Sequence, residues 1–499
     1  MSHQNRWLVL GIVSSALFLI VIDMTVLYTA LPTLTHDLAA TATEKLWIVN
    51  AYPLVVAGLL PGLGALGDRL GHKQMFMAGL AVFGAASLAA AFAPSSGALI
   101  AARVFLAVGA AMMMPATLSL IRLTFKDEKE RAFAIGIWAA VASGGAALGP
   151  VVGGLLLEYF WWGSVFLINV PIVLVALLAS ALLLATRPGD ASRPWDLVGS
   201  IQVMVGLIGI VYAVKEISKR DPSWIMVAAT FLIGAAAMIV FVRRQRRSAA
   251  PLIDFSLFGN PRFSSGVATA LVASGALVGV ELVFSQRLQL VLGYSPLEAG
   301  LLILPIPLAA FIAGPLTGLA LPYIAPTRIL IGALVLTGLG LAGFLLAYNG
   351  QTAVWLAPLA VMGFGVGAAM TAASSAIMLS APEERAGMAA SVEEVSYELG
   401  GALGIALLGS LMSILYTRAM TLPEGIAIAS QARDSLDEAL MLAAGLESDQ
   451  SLQVATLARY AFDQAFVGVI ITAIACLLLV AALVWKVSRK PDKSFVHER

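Results

Sequence analysis

The chain has 499 residues, 60% of them from the set AVILMFWYC and only 12% Asp, Glu, Lys or Arg, with a mean hydropathy of +0.92. A soluble domain carries about 25% charged residues, so a soluble enzyme, a disordered chain and a disulfide scaffold are excluded. The formal charge of +1 provides no basic field for nucleic acid, and the single cysteine, Cys476, permits no intrachain disulfide.

A helix needs about 20 apolar residues to cross the hydrocarbon core. The chain contains fourteen such runs, continuous rather than alternating, which predicts helices and not a barrel. The first, 7–31, reads as an uncleaved span, with Asp23 about two-thirds along it. The second, 46–66, ends in the turn Gly64-Ala-Leu-Gly-Asp68-Arg69-Leu-Gly71-His-Lys73. The third is 74–93, and the fourth, 97–121, has Arg103 near its start. A basic loop, 122–131, precedes the fifth run, 132–157, which holds Gly144, Gly145, Gly149, Pro150, Gly153 and Gly154. Glycines at four-residue spacing allow close helix approach, and Pro150 is expected to bend the span. The sixth run is 162–186; the seventh and eighth are 195–214 and 224–242, the latter followed by Arg243, Arg244, Arg246 and Arg247.

The ninth run, 263–286, carries Glu281 and is followed by Arg287, expected to snorkel to the interface. The tenth, 297–321, leads into Gly318–Arg328, an echo of the Gly64–Lys73 turn that keeps the opening Gly and closing cation but not the acid. The eleventh and twelfth are 327–348 and 354–380, and the thirteenth, 387–416, carries Glu393, Glu394, Tyr397 and Glu398. A mixed loop, 417–460, is expected to cap the outer face with short helices. The fourteenth run is 462–485, before a basic tail with Lys486, Arg489, Lys490 and Lys493. Eight of the nine tryptophans fall near a run's end, the interfacial position an indole prefers; Trp138 is the exception.

With the N-terminus in the cytoplasm, 21 of the 30 Lys and Arg fall in cytoplasmic segments, and the even span count returns the C-terminus to the same side. The pattern is 6 + 2 + 6. Residues 1–186 form one six-helix half, 187–262 a two-helix insert and cytoplasmic linker, and 263–499 the second half with the outside loop 417–460. Duplicated halves suggest a binding site between them near the midplane.

A charge at the bilayer centre costs about 2.5–3.5 kcal/mol on insertion scales, so each needs a partner, water or a neutral state. Asp23 and Arg103 fall at similar depth; such a pair can hold and release a proton, or can be purely architectural. Glu394 and Glu398 share a helix face at i, i+4, and their repulsion favours a proton on one of them. This pair suits proton exchange and also attracts a lipophilic cation; the alternative is wet acids near the cytoplasmic end, chiefly Glu393. Glu281, with no basic neighbour on its face, is a candidate for proton or cation binding, or lies exposed at the outer mouth.

Together these features resemble the major facilitator superfamily, and within it the fourteen-span drug:proton antiporter family. Asp23-Met-Thr-Val-Leu-Tyr-Thr-Ala-Leu-Pro32 looks like the first-span signature, and Gly64–Lys73 the superfamily turn, with His72 where the pattern has Arg. Arg103 with Gly109 is similar to the fourth-span motif, and Gly149-Pro150-x-x-Gly153-Gly154 to the fifth-span antiporter motif. Leu290–Gly300 and Gly400–Ala406 add to the likeness. The resemblance implies a fourteen-helix, all-α membrane protein of two pseudo-symmetric halves in a bacterial inner membrane. It implies proton-driven export of lipophilic cations, such as methyl viologen and quaternary ammonium biocides, by a monomer among membrane lipids, with no cofactor beyond the proton gradient.

On the same footing, Asp23 and Arg103 would serve proton coupling, and Glu394 and Glu398, similar to acids in the thirteenth span of multidrug members, would bind substrate. The chemistry of a lone acid in an apolar run adds Glu281 to both sets, and Tyr397, between Glu394 and Glu398, is a further substrate-binding candidate. Gly64, Asp68, Arg69, Gly71 and Lys73 would form a conformational latch, and Gly145, Gly149, Pro150, Gly153 and Gly154 would shape the switch between states. A proton-coupled importer of the same fold is the rival, since fold alone does not set direction. No phosphate-binding Gly-Lys-Ser/Thr loop and no histidine cluster within a span point to an ATPase or a metalloenzyme.

Overall fold

A computed structural model describes residues 3–40, 42–190, 195–217, 222–248, 251–421, 430–433 and 435–488. Arg489, Lys490 and Lys493 lie outside them. The first half contains α1 (His3–Asp37), α2 (Ala42–Leu70), α3 (His72–Ala91), α4 (Ser96–Thr124) and α5 (Glu128–Tyr159), then α6 (Ser164–Leu167) and α7 (Asn169–Leu183). The insert is α8 (Leu197–Ile217) and α9 (Trp224–Gln245). The second half begins with α10 (Pro261–Gln286), α11 (Pro296–Ile303), α12 (Pro305–Ala320) and α13 (Pro326–Ala347). It ends with α14 (Thr352–Ser380), α15 (Ala386–Ala419), α16 (Leu436–Ala443) and α17 (Ser448–Ser488). Among the described residues, fourteen stretches are long and apolar enough to span a membrane, α6 with α7 forming the sixth and α11 with α12 the tenth.

Within lipid the backbone must satisfy its own hydrogen bonds, which is why these runs are helices. Helices start where a polar side chain returns to cap them. Ser95 accepts from the Ala98 amide, Asp127 from Glu130, and Ser295 forms a reciprocal box with Glu298. Leu174, Leu178, Leu182, Ile225 and Leu346 point outward, as lipid-facing side chains do. Trp138, the tryptophan away from a span end, is buried and donates to Thr117 Oγ1 at 3.2 Å.

Within 417–460 the described residues are largely helical, as the short helices expected there require. α15 runs to Ala419 and α17 begins at Ser448, well before the apolar run, because Val454, Ala458 and Ala461 continue a buried face outside the span. Leu436, Ala439 and Ala443 of α16 are buried, and Tyr416 Oη donates to the Ala432 carbonyl at 3.1 Å.

Small residues join the halves, as expected where lipid removes the hydrophobic drive for association. α5 crosses α12 with Gly136 against the Gly314 carbonyl and Gly318 against that of Ala132. α2 crosses α15 at Gly64 and Gly387. These approaches lie at the end of the bundle that carries the α2–α3 turn, called here the turn end. One core there combines first-half residues with Ile377, Met378, Ala386, Ala389 and Ala390 of the second half. The insert helix α8 packs on α2 and α15, touching both halves. It is tied down by Trp195 Nε1 donating to the Gly62 carbonyl at 3.1 Å.

Candidate functional site

α1, α2, α4 and α7 converge on one buried charge pair. Asp23 and Arg103 are 2% and 1% exposed, and Arg103 donates to Asp23 Oδ2 at 2.8 Å. A buried pair persists only when further hydrogen bonds offset its desolvation, and three further contacts support this one. Arg103 Nε donates to the Ile48 carbonyl at 3.2 Å. Asn169 Nδ2 donates to Asp23 Oδ1 at 3.0 Å. The Tyr52 ring lies 4.6 Å from the guanidinium carbon, within cation–π range. The pairing of Asp23 with Arg103 agrees with their matched depth in the sequence. Asn169 and Tyr52 are functional candidates that sequence reading passes over; the signal is an amide within the sixth apolar run. The Tyr52 hydroxyl is buried and among the described residues has no hydrogen-bond partner.

The second half supplies the acids, on α15. Glu393 is fully buried and accepts from Ser374 Oγ, so it is not the wet terminal acid the sequence left open. Glu394 is 4% exposed, and its Oε1 has no hydrogen-bond partner among the described residues. Tyr397 donates to the Met370 carbonyl at 3.3 Å. Glu398 is half-buried and lies within electrostatic reach of both Glu394 and the Tyr52 hydroxyl. Tyr52 also feels Asp23 and Arg103. The fold thus gathers Asp23, Arg103 and Tyr52 from one half with Glu394 and Glu398 from the other. Glu281 does not join them: it is half-buried on α10, with no charged neighbour and no hydrogen bond among the described residues.

The turn between α2 and α3 works across the halves. The carboxylate of Asp68 accepts from the backbone amides of Gly387 and Met388, at 2.9 and 3.2 Å, and its Oδ1 lies 3.2 Å from His72 Nε2. It therefore caps the start of α15 in the opposite half, with His72 beside it. A Cβ on Gly64 would lie 2.5 Å from the Gly387 carbonyl oxygen, so only glycine permits this approach. Gly71 has φ of +100°, a second position that requires glycine. Lys73 donates to the carbonyls of Leu184 and Ala181, at 2.7 and 3.1 Å, and so closes the C-terminal end of α7. The Arg69 carbonyl lies against Gly189. Beside the turn, Arg385 pairs with Asp254. Partial burial pushes the Asp254 carboxyl up, but hydrogen bonds from Ser256 and the Arg385 charge outweigh it and hold that carboxyl below its usual range.

The fifth-span glycines pack α5 on α1. Gly145 faces Val21 and Gly149 faces Thr25, two residues from Asp23. Gly153 is buried, and Gly154 faces open space. α5 continues through Pro150 as one helix, and the Pro150 side chain lies outside the described residues.

Arg287 corrects the snorkelling expectation. It is 2% exposed and donates to Asp463 at 2.7 Å, with Tyr348, Trp355 and Phe466 rings 5.0–5.8 Å from its guanidinium. The reason is local: a π-turn, Arg287–Val291, extends α10 and turns the side chain onto α17. Removing one partner of a buried pair strands the other. Arg287→Ala is expected to destabilise the protein by about 3 kcal/mol, the low end for a buried pair, since Asp463 is partly exposed. A lowered unfolding midpoint in detergent checks this.

The Major Facilitator Superfamily model matches residues 13–405. The methyl viologen resistance protein SmvA of Salmonella typhimurium strain LT2 is 41% identical over 485 residues, covering 96% of this chain and 98% of that protein. The multidrug efflux pump LfrA of Mycolicibacterium smegmatis is 39% identical over 481 residues, covering 96% and 95%. Among solved structures, the human organic anion transporter MFSD10 superposes with a TM-score of 0.61 at 14% identity, covering 95% of this chain and 99% of that one. The proton:xylose symporter XylE superposes with a TM-score of 0.60 at 12% identity, covering 97% and 96%. With fourteen spanning helices in two facing halves and a family match over most of its length, this chain belongs to the Major Facilitator Superfamily and is a membrane transporter, not an enzyme.

Proposed function

We infer that the chain is a proton-coupled antiporter that exports lipophilic cations, of the methyl viologen and quaternary ammonium type, from a bacterial cytoplasm. Both termini face the cytoplasm, the proton gradient is the only driving partner, and a monomer suffices. The observation that carries this reading is the gathering of Asp23, Arg103 and Tyr52 in one half with Glu394 and Glu398 in the other. The names of the similar resistance and efflux proteins support the substrate class and the direction.

The chemistry follows from competition for charge. A proton on Asp23 weakens its hold on Arg103, and a proton on Glu394 or Glu398 removes an anchor for a bound cation. Drug and proton therefore exclude each other at the acids. Protonation drives transport only through its different affinity for the two states. The turn-end contacts, Asp68 capping α15 above all, hold the turn end together, which on this reading is the cytoplasmic side.

Inverted membrane vesicles with an imposed pH gradient test the reading directly. Methyl viologen uptake that follows the gradient supports it; uptake indifferent to the gradient, or with its sign reversed, overturns it. Glu398→Gln is expected to weaken transport of divalent cations at least several-fold more than that of monovalent ones, since a dication can hold both adjacent carboxylates ionised and the variant leaves it only one. Equal losses for both classes would remove Glu398 as the residue that reads charge.

A further inference from the structure

The second half has its own version of the α2–α3 turn. Gly318–Arg328 parallels Gly64–Lys73, and Pro322 stands where the first half has Asp68. In the first half that acid caps a helix of the opposite half. Around Pro322 there is instead a crevice of about 220 Å³ between α5, α10, α13, α14 and the turn that follows α12.

Most polar groups of its wall are donors. Arg131 of α5 and Arg262 of α10 line it, and among the described residues neither guanidinium has a hydrogen-bond partner. Ser375 lines it from α14, is 1% exposed, and its hydroxyl has no partner. α13 begins at the crevice behind Ala325, which offers no capping side chain, so its positive end is open. The acid in the lining is Glu128, one turn before Arg131. Glu383, within electrostatic reach of Arg131, is already engaged by Lys126 at 2.6 Å. On the rim, Lys129 sits 5.2 Å above the Tyr323 ring. The balance is positive, and a buried hydroxyl without a partner is costly unless a ligand engages it.

The geometry points to a binding site for a phosphate-bearing anion, either the phosphodiester of an anionic lipid headgroup or free phosphate. The anion bridges Arg131 of the first half to Arg262, Ser375 and the start of α13 in the second. It supplies the negative charge that Asp68 supplies in the first turn and Pro322 does not. The crevice lies where α5, α10 and α13 all begin, the level at which headgroups meet basic pockets between helices. Because it spans both halves, its occupant favours the state in which the turn end is closed. The inference is independent of what the protein transports.

The test uses the full chain in nanodiscs of phosphatidylcholine, with or without phosphatidylglycerol, and separately with inorganic phosphate in the buffer. Retention of the lipid by native mass spectrometry and the unfolding midpoint are read together. Phosphatidylglycerol is expected to co-isolate and raise the midpoint, and Arg131→Gln with Arg262→Gln to weaken retention about 30-fold. Protection by phosphate alone, lost in the same double variant, would assign the site to the free ion; protection by the lipid alone assigns it to the headgroup. Pro322→Asp, which carries its own carboxylate, is expected to raise the midpoint in pure phosphatidylcholine and to blunt the response to both anions. If Pro322→Asp does not fold, the double variant decides alone. A double variant that responds to lipid and phosphate as the unaltered protein does overturns the site.

Discussion

Replacing Asp23 with Asn is expected to reduce proton-driven efflux to background, a loss of at least tenfold, which corresponds to about 1.4 kcal/mol or more of lost coupling. Asn keeps the size of the side chain and one acceptor for Arg103 but cannot exchange a proton. The two donors now on Asp23, from Arg103 at 2.8 Å and Asn169 at 3.0 Å, make the site sensitive to charge as well as shape. Arg103 would remain 1% exposed without a counter-charge, a situation that costs several kcal/mol on its own. A double variant, Asp23→Asn with Arg103→Gln, separates the two effects. It is expected to recover folded protein in the membrane without recovering efflux. Full methyl viologen or ethidium efflux by Asp23→Asn, driven by the pH gradient, would remove Asp23 from the coupling step.

Gly64→Val is expected to lower transport more than tenfold by a different route. Its Cβ would lie 2.5 Å from the Gly387 carbonyl oxygen, a backbone atom that cannot rotate away, so α2 and α15 must separate at the turn end. Separation breaks the two amide bonds to Asp68. Hydrogen bonds to a charged group contribute about 1.5–3 kcal/mol each, so the closed turn end would lose at least about a hundredfold in population. Spin labels on the turn-end segments of α2 and α15 should report a longer distance, together with the fall in transport. Gly11→Ala is the control, since nothing lies within 4 Å of a Cβ there. Unchanged transport and distance in Gly64→Val would show that the close approach is dispensable.

Much of this was legible in the sequence because lipid makes composition decisive. Fourteen apolar runs become fourteen spanning helices, since a continuous apolar segment has no other way to satisfy its backbone in a membrane. Asp23 and Arg103 stood out because a charge inside such a run is costly enough to need a reason. The partners were harder to find. Asn169 and Tyr52 are ordinary residues of apolar helices until the packing of α7 and α2 turns them onto Asp23 and Arg103. Asp463 lies at the edge of the last apolar run, and nothing in its neighbourhood shows that Arg287, far away in the chain, needs it. α17 begins at Ser448, earlier than the apolar run suggests, because hydropathy registers contact with lipid and not helical continuity.

What the sequence determined by itself was therefore the solvent, the number of crossings and the few ionisable residues left in the apolar phase, since transfer energies depend on residue type and run length alone. Only the tertiary structure decided which charges meet. It paired Asp23 with Arg103 and Arg287 with Asp463, buried Glu393, left Glu281 apart, and sent Asp68 to the helix of the opposite half. Helices that are apolar on every side carry no stripe to announce their partners. Their orientation is chosen by small-residue contacts such as Gly64 with Gly387 and Gly136 with Gly314, which exist only once both helices are in place.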